Sequence, residues 1–159
     1  MVMGMGDALA MAGAALAVGL CGVGASIGVS VVQRACAGIL SDSPDKYAKT
    51  LIFQLIPTTA ALYGFVVAFL VMQKVGMGGT PGYNLAEGAL VLASCLPIAL
   101  VGLFSSIAQA KVCASCAVMI TKQGELYGKA VTMAIIIEFF ALLSLIVSIL
   151  AVMAIPTIS

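Results

Sequence analysis

One carboxylate in this sequence lies where a carboxylate is costly. Glu138 interrupts the apolar run Ala-Ile-Ile-Ile-Glu-Phe-Phe-Ala-Leu-Leu at 134–143, nine residues beyond Lys129. A charge at the centre of a bilayer costs about 3 kcal/mol on insertion scales and more in simulations. Such a group must be neutralised by a proton, a mobile cation or a fixed positive partner. No Lys or Arg is expected at its depth, which points to a mobile cation. A permanently protonated acid that only hydrogen-bonds between helices is the plainer alternative. Other polar residues converge on the same level. With antiparallel hairpins turning at Ser43-Pro44 and Gln123-Gly124, residues equidistant from a turn share a depth. Gln109 is then level with Glu138, Thr58 and Thr59 reach the same layer, and Tyr63 lies one helical turn beyond Thr59. Pro57, with no amide hydrogen, is expected to free the carbonyl of Phe53 and kink its helix, either to serve an ion or simply to pack.

The elements that carry these residues follow from composition. The chain has 159 residues, 63% hydrophobic and only 8% charged, with no His or Trp. A soluble domain carries about a quarter charged residues, so a water-exposed surface could not be covered here. No charged residue lies between Asp7 and Arg34, between Lys49 and Lys74, or between Glu87 and Lys111, and Glu138 alone interrupts the stretch after Lys129. Each run exceeds the roughly 20 residues a helix needs to cross about 30 Å of hydrocarbon. The expected fold is an all-α membrane protein of four transmembrane helices, near 8–33, 50–74, 86–118 and 128–156. The first is too long, and lacks the basic start, for a secretory signal peptide. Arg34, Lys46 and Lys49 surround the first loop, and Lys111, Lys122 and Lys129 the second. The positive-inside rule therefore puts both basic loops in the cytoplasm and both termini outside. A net charge of +1 gives no reason to expect nucleic acid. Cys113-x-x-Cys116 lacks a second pair and any His to complete a zinc site, so the five cysteines read as small apolar packing residues.

The two halves, 1–80 and 81–159, align at an offset of eighty without a gap. Asp7 pairs with Glu87, Gly22 with Gly102, Ser26-Ile27 with Ser106-Ile107, and Cys36-Ala37 with Cys116-Ala117. Tyr47 pairs with Tyr127, Lys49 with Lys129, and Ala61-Leu62 with Ala141-Leu142. This is a tandem, parallel duplication of a two-helix unit, unlike the inverted repeats of many secondary transporters. Thr58 occupies the position of Glu138, so the first hairpin lacks its own acid. Gly13, Gly19, Gly22, Gly24, Ala25, Ser26 and Gly28 crowd the first helix. Small residues let backbones approach closely in lipid. The reading is a face pressed against many neighbours, as at the inner wall of a ring, with simple hairpin packing as the alternative.

The run Phe53-Gln-Leu-Ile-Pro-Thr-Thr-Ala-Ala-Leu-Tyr-Gly-Phe-Val-Val-Ala-Phe, with Ser106-Ile-Ala-Gln-Ala-Lys and Glu138, resembles the K subunit of bacterial V-type (V/A-type) ATPases. The resemblance covers essentially the whole chain. It implies a homo-oligomeric rotor ring of about ten copies in the cell membrane, turning with a central stalk subunit. Each Glu would load and unload its cation at a stator membrane subunit with an essential Arg. ATP hydrolysis or synthesis would belong to other subunits, and the chain itself would be no enzyme and hold no cofactor. In sodium-pumping members the ion ligands fall on Glu138, Gln109, Thr59, Ala60 and the carbonyl of Ile56, with Tyr63 hydrogen-bonding the glutamate. Ala60 departs from the pattern, because a methyl group coordinates nothing. Thr58 or a water could supply the missing oxygen for Na⁺; otherwise the site suits H⁺. A small cation-coupled transporter working without ATP, or a purely structural four-helix protein, are the readings from other classes. Neither accounts as well for the parallel repeat together with the polar layer.

Overall fold

The computed structural model describes residues 4–77 and 83–156. Among these there is no strand. Helix α1 runs Met5–Asp42, α2 Tyr47–Leu55, α3 Thr59–Met72, α4 Leu85–Lys122 and α5 Tyr127–Ala154. A 3-10 turn, Ile56–Thr58, joins α2 to α3 in a single rod, and a π-helical turn, Gln73–Met77, ends it. Among the described residues four stretches are long and apolar enough to cross a bilayer: Met5–Asp42, Pro44–Val75, Leu85–Lys122 and Gly124–Ala154. The two longest helices have 38 residues each, about 57 Å at 1.5 Å per residue, well beyond the hydrocarbon thickness. The helices therefore outrun the apolar windows, because capping and turn chemistry, not hydrophobicity, ends them. The boundary expected between residues 80 and 81 lies outside the described residues.

The duplication is visible in those ends. Ser43 stands at φ −144°, ψ 78°, and leads into a 3-10 turn, Pro44–Lys46, before Tyr47 restarts the helix. Gln123 stands at φ −138°, ψ 86°, followed by Gly124–Leu126 and Tyr127. Each turn has the same two backbone bonds: Ser43 N to Ile39 O and Lys46 N to Ser43 O, then Gln123 N to Met119 O and Leu126 N to Gln123 O. The paired acids do the same work at the other end. Asp7 accepts from the Gly4 amide at 3.1 Å and Glu87 from the Asn84 amide at 3.0 Å. Each carboxylate thereby satisfies an orphan donor of the first turn.

The hairpins are not separate bodies. The most extensive packing joins α1 to α4, with α3 laid on α1 and α5 on α4. The contacts of α1 and α4 advance together, so the two helices run parallel. A Cβ on Gly13 would stand 2.8 Å from Leu92 Cα, one on Gly24 2.6 Å from Leu103 O, and one on Gly28 3.0 Å from Ser106 O. Only glycine permits that approach. Gly19 and Gly22 face open space instead, so the crowding expected along the first helix divides between two faces. Asp7 also accepts the Tyr83 amide at 2.7 Å, linking the hairpins at their terminal ends. Lys74 reaches the carbonyls of Val152 at 2.7 Å and Ile155 at 3.0 Å, a cation on the C-terminus of α5. Lys46 donates to Thr121 O at 2.9 Å and does the same for α4.

Candidate functional site

The polar layer forms where the α2–α3 junction, α4 and α5 meet. Gln109 is buried, 2% exposed, on the face of α4 that meets α5. Its Nε2 donates to Glu138 Oε2 at 2.7 Å and to Ala134 O at 3.2 Å. Both partners are acceptors, which sets the amide orientation and leaves Gln109 Oε1 uncommitted. Glu138 is half-buried, and its Oε1 is buried with no donor among the described residues. A buried carboxylate oxygen without a partner is costly, and a proton or a metal cation would relieve it.

Pro57 is buried and helix continuity survives it, tightened for one turn into the 3-10 form. The expected kink is therefore a local overwinding. Ile56 N still donates to Ile52 O. The Ile56 carbonyl accepts from both the amide and the hydroxyl of Thr59, the latter at 2.8 Å. Two oxygens thus lie side by side, and the Thr59 hydroxyl keeps lone pairs for a further partner. Thr58 instead donates to Leu55 O at 2.6 Å, on the more exposed side of the same helix. Ala60 is 1% exposed and packed in the core.

Tyr63 stands beside Glu138 and Thr59. Its hydroxyl is within hydrogen-bonding reach of the Glu138 carboxylate, as expected, while Glu138 Oε1 itself has no donor among the described residues. The structure thus joins Glu138 to Gln109 and Tyr63, and Tyr63 to Thr59, whose hydroxyl bonds the Ile56 carbonyl, while Thr58 bonds within its own helix.

Two features escaped the sequence reading. The Ala134 carbonyl holds the Gln109 amide, and no side-chain type could announce it. Lys111 also lies only two residues along α4 from Gln109, so a basic residue does sit near the depth of Glu138. Two residues turn it about 200° around the helix, however, and it is exposed where Gln109 is buried. It forms no ion pair with Glu138. All five cysteines are buried and unbridged, and Cys21 Sγ donates to Ile98 O at 3.2 Å. Among the described residues no cluster of three or more His, Cys, Asp or Glu could hold a metal ion. Any cation bound at Glu138 would meet one carboxylate and neutral oxygens.

Comparison with known proteins decides the family. Residues 12–71 match the C-subunit family of ATP synthases, and residues 92–151 match it a second time. The chain belongs to that ATP synthase family. The two matches begin eighty residues apart, the same register as the repeat in capping acids and turns. Among curated proteins, this family member is 37% identical over 132 residues to the V-type sodium ATPase subunit K of Enterococcus hirae, covering 83% of this chain and 82% of that one. It is 30% identical over 142 residues to the A-type ATP synthase subunit K of Methanocaldococcus jannaschii, covering 89% of this chain and 60% of that one. The resemblance to K subunits is therefore borne out, as is the duplicated four-helix membrane fold.

Proposed function

We propose that this chain is the rotor-ring subunit of a V-type ATPase and carries Na⁺ across the bilayer on Glu138, coupled to ATP hydrolysis or synthesis by other subunits. The observation that carries this reading is the Gln109–Glu138 hydrogen bond inside an apolar layer, with Glu138 Oε1 left unpartnered beside it. Na⁺ would take Glu138, Gln109 Oε1, the Thr59 hydroxyl and the Ile56 carbonyl as oxygen ligands, a donor set suited to a hard cation. With the ion bound, the carboxylate is neutralised and can face lipid. A stator Arg would compete for it and release the ion. Tyr63 would then close on the carboxylate and steady it. Copies assemble side by side around a central opening, with the basic loops cytoplasmic in the cell membrane and a central stalk subunit turning with the ring. The chain catalyses no bond chemistry of its own.

Ala60 favours a second reading, H⁺ in place of Na⁺, because its buried methyl removes one oxygen from the donor set. ATP-driven ²²Na⁺ uptake into vesicles bearing the whole complex separates the two. Uptake that survives a protonophore supports Na⁺. ATP-driven acidification with no ²²Na⁺ movement makes the same rotor a proton carrier. Loss of neither in Glu138→Gln would overturn the mechanism for both ions.

A further inference from the structure

Three segments of the chain meet at one glycine. Gly28 of α1 is buried, and a Cβ built on it would stand 3.0 Å from Ser106 O, 3.1 Å from Ala110 Cβ and 3.3 Å from Pro57 Cβ. Ser106 and Ala110 belong to α4 and flank Gln109 in the chain. Pro57 belongs to the 3-10 turn Ile56–Thr58, is fully buried, and lies in a turn that packs against both α1 and α4. Backbone hydrogen bonds hold that turn less firmly than the rest of its rod, because Pro57 has no amide to give to Phe53 O. Packing must therefore set its depth in the bundle, and Gly28 is the floor on which it packs. The second hairpin lacks this contact. At the matched positions it has Ala108 and Ile137, Ala108 is exposed, and α5 runs unbroken from Tyr127 to Ala154. The glycine–proline contact thus belongs to the hairpin that supplies the Ile56 carbonyl and the Thr59 hydroxyl.

Those two oxygens stand on the α2–α3 rod, whereas Gln109 and Glu138 stand on α4 and α5. How closely the turn approaches α4 fixes the spacing between the two sets. We propose that Gly28 is a positioning residue for the cation site. By presenting hydrogen where any other residue presents carbon, it lets Pro57 settle against α1 and sets the distance from the Ile56–Thr59 oxygens to Gln109 and Glu138. The proposal rests on the reading of Glu138 as the ion carrier. A methyl at position 28 leaves two ways to yield. Either the turn retreats by a few tenths of an ångström and carries Ile56 O and Thr59 with it, or Ser106 and Ala110 retreat and carry Gln109. Both widen the same gap. Gly28 offers the ion no ligand, so its effect is on spacing alone.

The test is carbodiimide labelling of Glu138 in the purified assembly at one pH, with Na⁺ raised until labelling is half suppressed. Misplacing a group by about 1 Å costs on the order of a hundredfold, so Gly28→Ala should raise the half-protecting Na⁺ concentration by about tenfold. Gly13→Ala is the packing control. Its Cβ would stand 2.8 Å from Leu92 Cα, so it overpacks the same two helices, about 25 Å along α4 from Gln109. It should leave the sodium requirement where wild type has it. An unchanged requirement in Gly28→Ala, or an equal rise in both variants, would overturn the proposal. If Gly28→Ala does not assemble, Gly28→Ala with Ala110→Gly is read in its place against Ala110→Gly alone. That pair gives the methyl room on the α4 side while it still bears on Pro57. Indifference of wild type to Na⁺ would sink the sodium reading and leave this one to the labelling rate without Na⁺. A rate altered in Gly28→Ala and not in Gly13→Ala then supports the positioning role, and equal rates in both variants and wild type reject it.

Discussion

The two hairpins share a skeleton and differ in chemistry. Both begin with an acid capping its own helix, and both turn through the same extended residue and 3-10 step. At matched positions, however, the second hairpin has Gln109 and Glu138 where the first has Val29 and Thr58. What remains of the first hairpin's contribution, Thr59 and Tyr63, has become part of its partner's site. The capping acids and glycine approaches are what hold the helices in register, and their loss would disturb both units. A buried acid contributes nothing to packing and costs free energy when unpartnered, so one of two copies can be lost without harm to the fold.

The largest expected effect comes from breaking the asymmetry at its source. Glu138→Gln should reduce ion-coupled transport to background while the assembly stays intact, read by vesicle uptake alongside gel mobility of the undissociated assembly. Next comes the attempt to rebuild the missing acid. Thr58→Glu alone should destabilise the chain by about 3 kcal/mol, the cost of a carboxylate in the apolar layer. Adding Val29→Gln should recover part of that and give a second carbodiimide-reactive carboxyl per chain, counted by mass spectrometry. Gln109→Ala should weaken Na⁺ binding about tenfold to a hundredfold, since a hydrogen bond to a charged group is worth about 1.5 to 3 kcal/mol. Sodium titration of the labelling rate would measure it.

A packing contrast follows at smaller scale. Gly22 and Gly102 match in the repeat, yet a Cβ on Gly102 would collide with Cys21 Sγ while one on Gly22 meets nothing within 4 Å. Gly102→Ala should cost about 1 to 3 kcal/mol by overpacking. Gly22→Ala should leave the single chain unaffected and touch only contacts between copies, a difference visible in denaturant unfolding of dissociated chains. The smallest effect concerns Tyr83, beyond the spans. Burial, then Glu87 and Asp7, pushes its phenol above the ordinary 10.0. A raised folded value means that its contribution to stability holds below about pH 10 and is lost as pH rises through that value. Because its hydroxyl is buried without a partner among the described residues, Tyr83→Phe should be neutral or slightly stabilising near pH 7 and should blunt the alkaline loss.

Much of this was legible from charge placement. Four uncharged runs and two basic loops give the helices and their pairing, and counting from each turn puts Gln109 beside Glu138 before any coordinate is seen. Depth along a helix says nothing of azimuth, which is why Lys111 looked like loop charge when it stands two residues from Gln109 on the opposite side. Backbone partners are silent in sequence as well: the Ala134 carbonyl, and the Ile56 carbonyl turned to Thr59, depend on local winding around Pro57. The match of Asp7 with Glu87 was visible, but not that Asp7 alone also clasps the other hairpin through the Tyr83 amide.

The most direct measurement is carbodiimide labelling of Glu138 in the purified assembly, read by mass spectrometry across pH with and without Na⁺. The reagent attacks the protonated carboxyl, so labelling should rise as pH falls, and a bound sodium ion should suppress it. The account predicts protection by Na⁺ that disappears in Gln109→Ala. Labelling that follows pH and ignores Na⁺ would contradict a sodium site and leave a proton rotor, with the methyl of Ala60 standing where an oxygen was needed.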